Sequence, residues 1–169
     1  MSYIIVDVET DGPIPGDYSM LAIGAVIVKE GLKKTFYSNI KPISDKYQKE
    51  TLKFLGLTRK ETLKYKTPKK VMIEFVDWIK QNSKGKPIFI SDNNGFDWMF
   101  LCWYLWHFIK ENPFGHNSKN LSSIYKGLEK NMGASIKNIR NKLNHNALDD
   151  AKNNAEALLN IQKKYGLKF

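Results

Sequence analysis

Carboxylates and one histidine stand out at three places in the chain, at the ends of apolar or amphipathic stretches. They are Asp7, Glu9, Asp97, His145, Asp149 and Asp150. Carboxylate oxygens are the ligands that the hard cations Mg²⁺ and Mn²⁺ prefer. Histidine has an unperturbed pKa near ~6.5, which suits proton transfer at neutral pH. If the fold brings these groups together, they predict metal-assisted chemistry.

Each of these acids also has an ordinary structural explanation. Asp7 could start a turn, Asp97 could cap a helix, and an isolated D-x-E occurs by chance in many chains. Burying a carboxylate without a partner is costly, however, and clustered carboxylates repel one another. No lysine or arginine adjoins Asp7, Glu9 or Asp97 in sequence. A divalent cation is therefore the natural partner, and the chain has no Cys/His cluster that would favour zinc.

The elements that must position these residues follow from hydrophobic periodicity. We expect strands at 3–8, 20–28, 34–40 and 86–91, and a short strand or turn followed by a helix within 121–130. We expect further helices at about 49–56, 68–81, 96–109 and 147–165. This order predicts an α/β layer fold with a mixed sheet. Residues two apart on a strand share a face, so Asp7 and Glu9 point the same way. If the first and fourth strands are parallel neighbours, Asp97 lies at the same sheet edge.

Composition sets the class of protein. The chain has 169 residues and a net charge of +10, which fits a single domain over 1–169. It has one cysteine, Cys102, and no visible signal peptide. The apolar stretch 96–109 is too short to span a bilayer. We therefore expect a cytoplasmic protein without a membrane segment.

The positive charge is concentrated in one part of the chain. Residues 41–86 contain 13 basic and 5 acidic residues, so this segment supplies +8. A solvated lysine-rich surface explains this charge, and so does a surface that attracts phosphates. Charge alone leaves both interpretations open.

Three motifs resemble those of a known family. DVET at 7–10, NGFD at 94–97 and HNALDD at 145–150 look like the three exonuclease motifs of the DEDDh 3′–5′ exonucleases. That family includes ribonuclease T, oligoribonuclease and polymerase proofreading subunits. The motifs follow the expected order across nearly the whole chain, and the finer likeness is to small single-domain exoribonuclease-like proteins of bacteria and phages. The resemblance implies a ribonuclease H-like, mixed five-stranded sheet flanked by helices.

The resemblance also implies roles for particular residues. Asp7, Glu9, Asp97 and Asp150 would hold two Mg²⁺ or Mn²⁺ ions, and His145 would be the general base that activates the attacking water. The substrate would be the 3′ end of single-stranded RNA or DNA, with RNA favoured. The products would be nucleoside 5′-monophosphates, and relatives make a homodimer possible.

Three further residues are candidate substrate contacts. Thr10 could donate a hydrogen bond near the terminal nucleotide, and Met20 or Phe96 could pack on a base. Ordinary strand-end and core packing explains each of them as well. The Gly/Pro loop at 11–17 is longer than the family's usual turn, and it is expected at the substrate rim.

The motif HNALDD requires a choice between two aspartates. Asn146 is the expected N-cap of the last helix, and Asp149 in its first turn is explained by capping and the helix dipole. Asp150 is the one five residues after His145, as the family spacing requires. Neighbouring helix positions differ by about 100° in direction, so we predict that Asp150 alone faces the metal site.

Two alternatives from other classes stay open. One is a nucleic-acid-binding or regulatory module of the same fold that has lost catalysis. The presence of all four acids and the histidine argues against it. The other is a phosphatase with a nucleophilic aspartate, which the sequence D-V-E fits poorly.

Overall fold

The computed structural model describes residues 1–168, which form a mixed five-stranded sheet flanked by helices. The strand order is β3-β2-β1-β4-β5. The strands are β1 (Ser2–Thr10), β2 (Met20–Ile27), β3 (Thr35–Asn39), β4 (Pro87–Ser91) and β5 (Ser118–Asn120). The helices are α1 (Lys49–Phe54), α2 (Arg59–Thr62), α3 (Pro68–Asn82), α4 (Asn94–Ile109), α5 (Leu121–Leu128) and α6 (Ala147–Tyr165), with a 3₁₀ turn at Ile136–Asn138. The ribonuclease H-like sheet expected from the sequence is confirmed.

The sheet combines antiparallel and parallel pairing. β1, β2 and β3 form an antiparallel meander, whereas β4 pairs parallel to β1 and to β5. The last parallel pair joins Ile5 to Ile90, so β1 continues past the end of β4. The carboxyl ends of β1 and β4 therefore open onto one edge, the usual place for ligands in α/β sheets.

Each face of the sheet carries its own core. Ile4 and Val6 belong to the core beneath α3 and α4, whereas Ile5 belongs to the core beneath α5 and α6. Because side chains alternate along a strand, Asp7 and Glu9 lie on the same face as Ile5. That face is the one that α6 covers.

The N-terminal end of α6 lies directly against the sheet at Gly24. A Cβ atom at this position would come within 2.2 Å of the backbone carbonyl of Ala147. Gly24 is also the cross-strand partner of Asp7. The missing side chain thus lets the first turn of α6 approach the strand end that carries the acids.

The element boundaries differ from expectation in a few places. β5 lies at Ser118–Asn120, just before the stretch 121–130 in which a short strand or turn was expected, because a three-residue edge strand has too few residues to show periodicity. α2 (Arg59–Thr62), a single turn with a capping box, was not expected. Among residues 1–168, no helix is both long enough and apolar enough to cross a membrane.

Candidate functional site

The first three acids converge at the open edge of the sheet. Asp7 and Glu9 are half-buried on the last residues of β1, and Asp97 is buried in the first turn of α4. The backbone N–H of Val8 donates to Oδ1 of Asp97 at 3.2 Å. This bond joins the start of α4 to the middle of the D-V-E motif. The sheet edge predicted from the sequence thus gathers these three carboxylates.

Asp150 is buried at the start of α6 and is held by the loop before it. The backbone N–H groups of Asn144 and His145 donate to its two oxygens, each at 3.0 Å. Asn146 caps the helix, with its side-chain oxygen accepting from the N–H groups of Leu148 and Asp149. The expected N-cap is therefore the observed one.

The two neighbouring aspartates point in different directions. Asp150 is 2% exposed, whereas Asp149 lies at the surface and accepts from the side-chain amide of Asn144 at 3.0 Å. One carboxylate is thus built into the interior and the other stays at the loop surface. The burial of Asp150 is compatible with the choice made above, and its role as a metal ligand stays a prediction.

Glu9, His145 and Asp150 come together at one point. Each offers a possible ligand atom, and these atoms all lie within 4.8 Å of one another. Glu9 reaches this point from β1, whereas Asp150 and His145 reach it from α6 and its preceding loop. His145 is exposed and has a left-handed backbone with φ of 61°. The predicted base and two of the predicted ligands therefore share one location.

Three carboxylates of the acidic cluster have raised pKa values. Burial raises the pKa of Asp7 well above its usual value, and the charges of Asp97, Glu9 and Asp150 raise it further. Burial also raises the pKa of Glu9 to about 7, with Asp150 and Asp97 adding to the effect. For Asp97, burial raises the pKa to about 7, partly offset by hydrogen bonding that includes the Val8 N–H. Ionising these carboxylates in the folded, metal-free site therefore costs more free energy than ionising them in water.

A divalent cation fits this cluster. Within the described residues, no lysine or arginine pairs with Asp7, Glu9, Asp97 or Asp150. Positive charge at the site would remove both the mutual repulsion and the cost of burying ionised carboxylates. The donor set is oxygen-rich, which suits Mg²⁺ or Mn²⁺.

The three predicted substrate contacts have more ordinary surroundings. Met20 is fully buried in the core. Core packing, the alternative explanation given above, describes its surroundings, and a contact with a base stays a prediction. The hydroxyl of Thr10 donates to the carbonyl of Gly12 at 2.9 Å. Phe96 is half-buried, with its ring centroid 5.1 Å from that of Phe100.

One aromatic residue beside the site was missed by the sequence analysis. Phe54, the last residue of α1, is 64% exposed, and its ring centroid lies 4.2 Å from that of His145. No local pattern marks Phe54, because its neighbour is 91 positions away in the chain. The contact places the lysine-rich basic segment, residues 41–86, beside His145, the predicted general base.

A buried ion pair fixes the basic segment to the Gly/Pro loop. Arg59 Nη1 donates to Asp11 Oδ2 at 3.0 Å, and Asp11 is fully buried. The other oxygen of Asp11 accepts from the Ser19 N–H at 2.5 Å. The backbone N–H of Gln48 donates to the carbonyl of Asp11 at 2.8 Å. The loop that follows Glu9 is therefore tied to the segment that carries Phe54.

Fold and site together define a ribonuclease H-like domain with an acidic cluster at the carboxyl ends of its central strands. The RNase T exonuclease family model matches residues 4–158. The chain therefore belongs to this family of exonucleases. It is 36% identical over 129 residues to the 3′–5′ DNA exonuclease Cap18 of Escherichia coli, covering 75% of this chain and 68% of that protein.

Solved structures show the same fold at lower identity. One is a 3′-exonuclease in a study of the 3′-end specific recognition of a histone mRNA stem-loop. Its TM-score is 0.79 at 17% identity, with 99% of this chain and 65% of that chain covered. Another is E. coli Exonuclease I in complex with a dA16 oligonucleotide. Its TM-score is 0.73 at 14% identity, with 96% of this chain and 41% of that chain covered. The chain thus spans less than two thirds of either structure.

Proposed function

We propose that this protein is a metal-dependent 3′–5′ exonuclease that hydrolyses single-stranded nucleic acid to nucleoside 5′-monophosphates. The observation that carries the proposal is the meeting of Glu9, Asp150 and His145 within 4.8 Å, beside buried carboxylates that have no basic partner. Membership of an exonuclease family supports the reaction class. The 3′–5′ DNA exonuclease activity named for the Escherichia coli relative supports the polarity.

In this proposal Asp7, Glu9, Asp97 and Asp150 hold two divalent cations, Mg²⁺ or Mn²⁺. When bound, such a pair stabilises charge on the attacking and leaving oxygens of an in-line displacement. The four side chains come from β1, α4 and α6. Strands and helices therefore fix the positions of the four side chains. Catalysis needs its groups held in one productive geometry.

His145 acts as the general base. Its imidazole accepts a proton from the attacking water, whose oxygen forms the new bond to phosphorus. The bond from phosphorus to the 3′ oxygen of the preceding nucleotide breaks, and the 3′ oxygen takes up a proton from solvent water. The released product is a nucleoside 5′-monophosphate, and the shortened strand keeps a free 3′ hydroxyl. The exposed position of His145 at the loop surface gives water and substrate access to the ring.

The RNA preference expected from the sequence stays a prediction, and the relative named a DNA exonuclease points the other way. The assay therefore compares RNA and DNA strands of the same base sequence. A homodimer and a cytoplasmic location also stay predictions, and sedimentation of the purified chain tests the first.

The test uses a 5′-labelled single strand with Mg²⁺, Mn²⁺ or EDTA. We expect a ladder that shortens from the 3′ end with either cation and disappears with EDTA. A circular single strand of the same composition is the control, because an exonuclease leaves it intact. Cleavage of the circle would indicate an endonuclease. Tight binding of the linear strand without cleavage would favour the alternative of a nucleic-acid-binding module that has lost catalysis.

A further inference from the structure

A second group of polar residues lies beside the proposed site and takes no part in the reaction described above. It consists of Asp92, Ser122, Arg140 and Asn154. Asp92 lies in the turn between β4 and α4, before Asp97. Its charge raises the pKa of both Asp7 and Asp97. Asp92 is thus close enough to affect the acidic cluster.

The contacts of Asp92 explain why it is no candidate metal ligand. Its Oδ2 accepts from Arg140 Nη1. Its Oδ1 accepts from the hydroxyl of Ser122 at 2.6 Å. Both oxygens are therefore occupied by protein donors, and the carboxylate is neutralised by an arginine. Asp92 differs in this from the four acids assigned to the cations.

Arg140 links three parts of the fold. Its Nη1 also donates to the side-chain oxygen of Asn154 at 2.8 Å. Asn154 is fully buried on α6, four residues and about one turn after Asp150. The Arg140 side chain is 5% exposed. Arg140 therefore fixes its own loop to the end of β4 and to the helix that carries Asp150.

The loop that carries His145 has few other buried anchors. Between α5 and α6, residues 129–146 contain one 3₁₀ turn, and the buried residue in it is Ile136. His145 itself is exposed, its backbone N–H donates to Asp150, and its ring lies against Phe54. Asn141 and Asn144 also make polar contacts but are exposed. The Arg140 side chain is thus the buried polar anchor nearest to His145 on the same loop.

We propose that Arg140 is a positioning residue, which uses Asp92 and Asn154 to fix the loop that presents His145 to the reacting water. This rests on the proposed function, because the position of His145 matters to the reaction only if His145 acts as base. The bond from His145 N–H to Asp150 sets one end of the loop, and the Arg140 contacts set the stretch before it. Losing them leaves the four acidic ligands in place and displaces the base.

The experiment compares Arg140→Met with Lys142→Met in steady-state degradation of a single strand. Lys142 is exposed on the same loop, and its replacement removes the same charge. A misplacement of about 1 Å costs up to ~100-fold in rate, so Arg140→Met should lower kcat about tenfold to a hundredfold. KM should change less than about twofold, because the substrate-holding groups are untouched. Equal losses in both variants would overturn the proposal.

Two further measurements separate positioning from general destabilisation. In a His145→Ala background, Arg140→Met should cause no additional loss of kcat, because both changes remove the same function. Losses that multiply would overturn the proposal. Arg140→Lys keeps the charge but not the planar fork, and should recover part of kcat. No recovery together with multiplied losses would indicate a purely structural role.

Hydrogen exchange tests the same proposal without activity. Arg140→Met should speed amide exchange in residues 139–146, including the His145 N–H, while β1 and β2 keep their protection. Unchanged exchange in the loop would overturn the proposal. If the wild-type chain degrades no nucleic acid, the proposed function fails, and the exchange data still decide whether Arg140 fixes the loop.

Discussion

The backbone N–H of His145 donates to Oδ2 of Asp150 at 3.0 Å. This hydrogen bond joins the proposed general base to a proposed metal ligand through the main chain. The N–H of Asn144 occupies the other oxygen of Asp150 at the same distance. The carboxylate at the start of α6 therefore has two tasks, which are to face the acidic cluster and to hold the loop that carries the base.

Asp150→Asn and Asp149→Asn should have opposite consequences. Asp150→Asn removes a buried charge from the cluster and puts an amide NH₂ against backbone N–H donors, so nuclease activity should disappear. Asp149→Asn removes a surface charge from the first turn of α6, which costs about 0.3–1 kcal/mol of stability, and should leave activity close to wild type. Rates of strand shortening and thermal unfolding give both readouts. Activity lost in the Asp149 variant and kept in the Asp150 variant would reverse the assignment.

His145→Ala should separate chemistry from metal binding. General bases contribute about 10²–10⁴-fold to rate, so turnover should fall by that order. The carboxylates are unchanged, so Mn²⁺ should still raise the melting temperature of the variant as it does for the wild type. Wild-type turnover in the variant would remove His145 from the mechanism. Loss of the Mn²⁺-induced stabilisation would make it a ligand instead.

The raised pKa values predict how the metal-free protein responds to pH. Glu9 and Asp97 have pKa values of about 7 in the folded state, above their ordinary values of 4.5 and 3.8. Between the ordinary pKa values and about 7, these carboxylates are ionised in the unfolded chain but remain mostly protonated in the folded chain. Raising the pH through this range therefore stabilises the unfolded chain relative to the folded chain. The free energy of unfolding should therefore fall as pH rises from about 4 to about 7. Mg²⁺ should restore more stability at about pH 8 than at about pH 5.

Asp97→Asn tests directly whether the clustered carboxylates cause this pH dependence. The amide oxygen can still accept from the Val8 N–H, while the repelling charge is gone. Metal-free Asp97→Asn should melt higher than wild type at about pH 8, by roughly 2–4 °C for each kcal/mol of repulsion removed, with no gain at about pH 4. Asp77→Asn, at an exposed position of α3, is the control and should show no such pH-dependent gain. A melting temperature for Asp97→Asn at or below wild type at pH 8 would contradict the interpretation.

Gly24→Ala should damage the site without touching an acid. The added methyl would meet the Ala147 backbone at 2.2 Å, so the start of α6 must shift and carry Asp150 with it. Overpacking of this kind costs about 1–3 kcal/mol, and activity should fall further than stability alone explains. Gly127→Ala is the control, since an added Cβ meets nothing within 4 Å there. Equal activity in both variants would show that α6 tolerates the shift.

The parts of the site that obey local rules could be predicted from the sequence. Strand periodicity puts Asp7 and Glu9 on one face, and the apolar run after Asp97 marks the helix that begins there. Capping preferences select Asn146, whereas the choice of Asp150 over Asp149 comes from the motif spacing that the family resemblance implies. Each inference uses residues within a few positions of one another, where backbone geometry fixes direction.

The parts that depend on distant contacts could not be predicted in this way. Gly24 looks like any small residue in a strand, and its importance comes from a helix more than 120 residues later. Arg140 and Asp92 are 48 positions apart, and nothing local to either predicts their pairing. The burial of Met20 also depends on distant contacts, because its place at a strand end left both a substrate contact and core packing open.

The proposed function requires this chain to hydrolyse a nucleic acid from its 3′ end through the site that contains Asp150. The most direct test is product analysis of a linear single strand digested with Mg²⁺ in water enriched in oxygen-18. We expect the wild type to release nucleoside 5′-monophosphates that carry the heavy oxygen on phosphorus, and Asp150→Asn to release none. Release of nucleoside 3′-monophosphates by the wild type, or equal yields from both proteins, would contradict it.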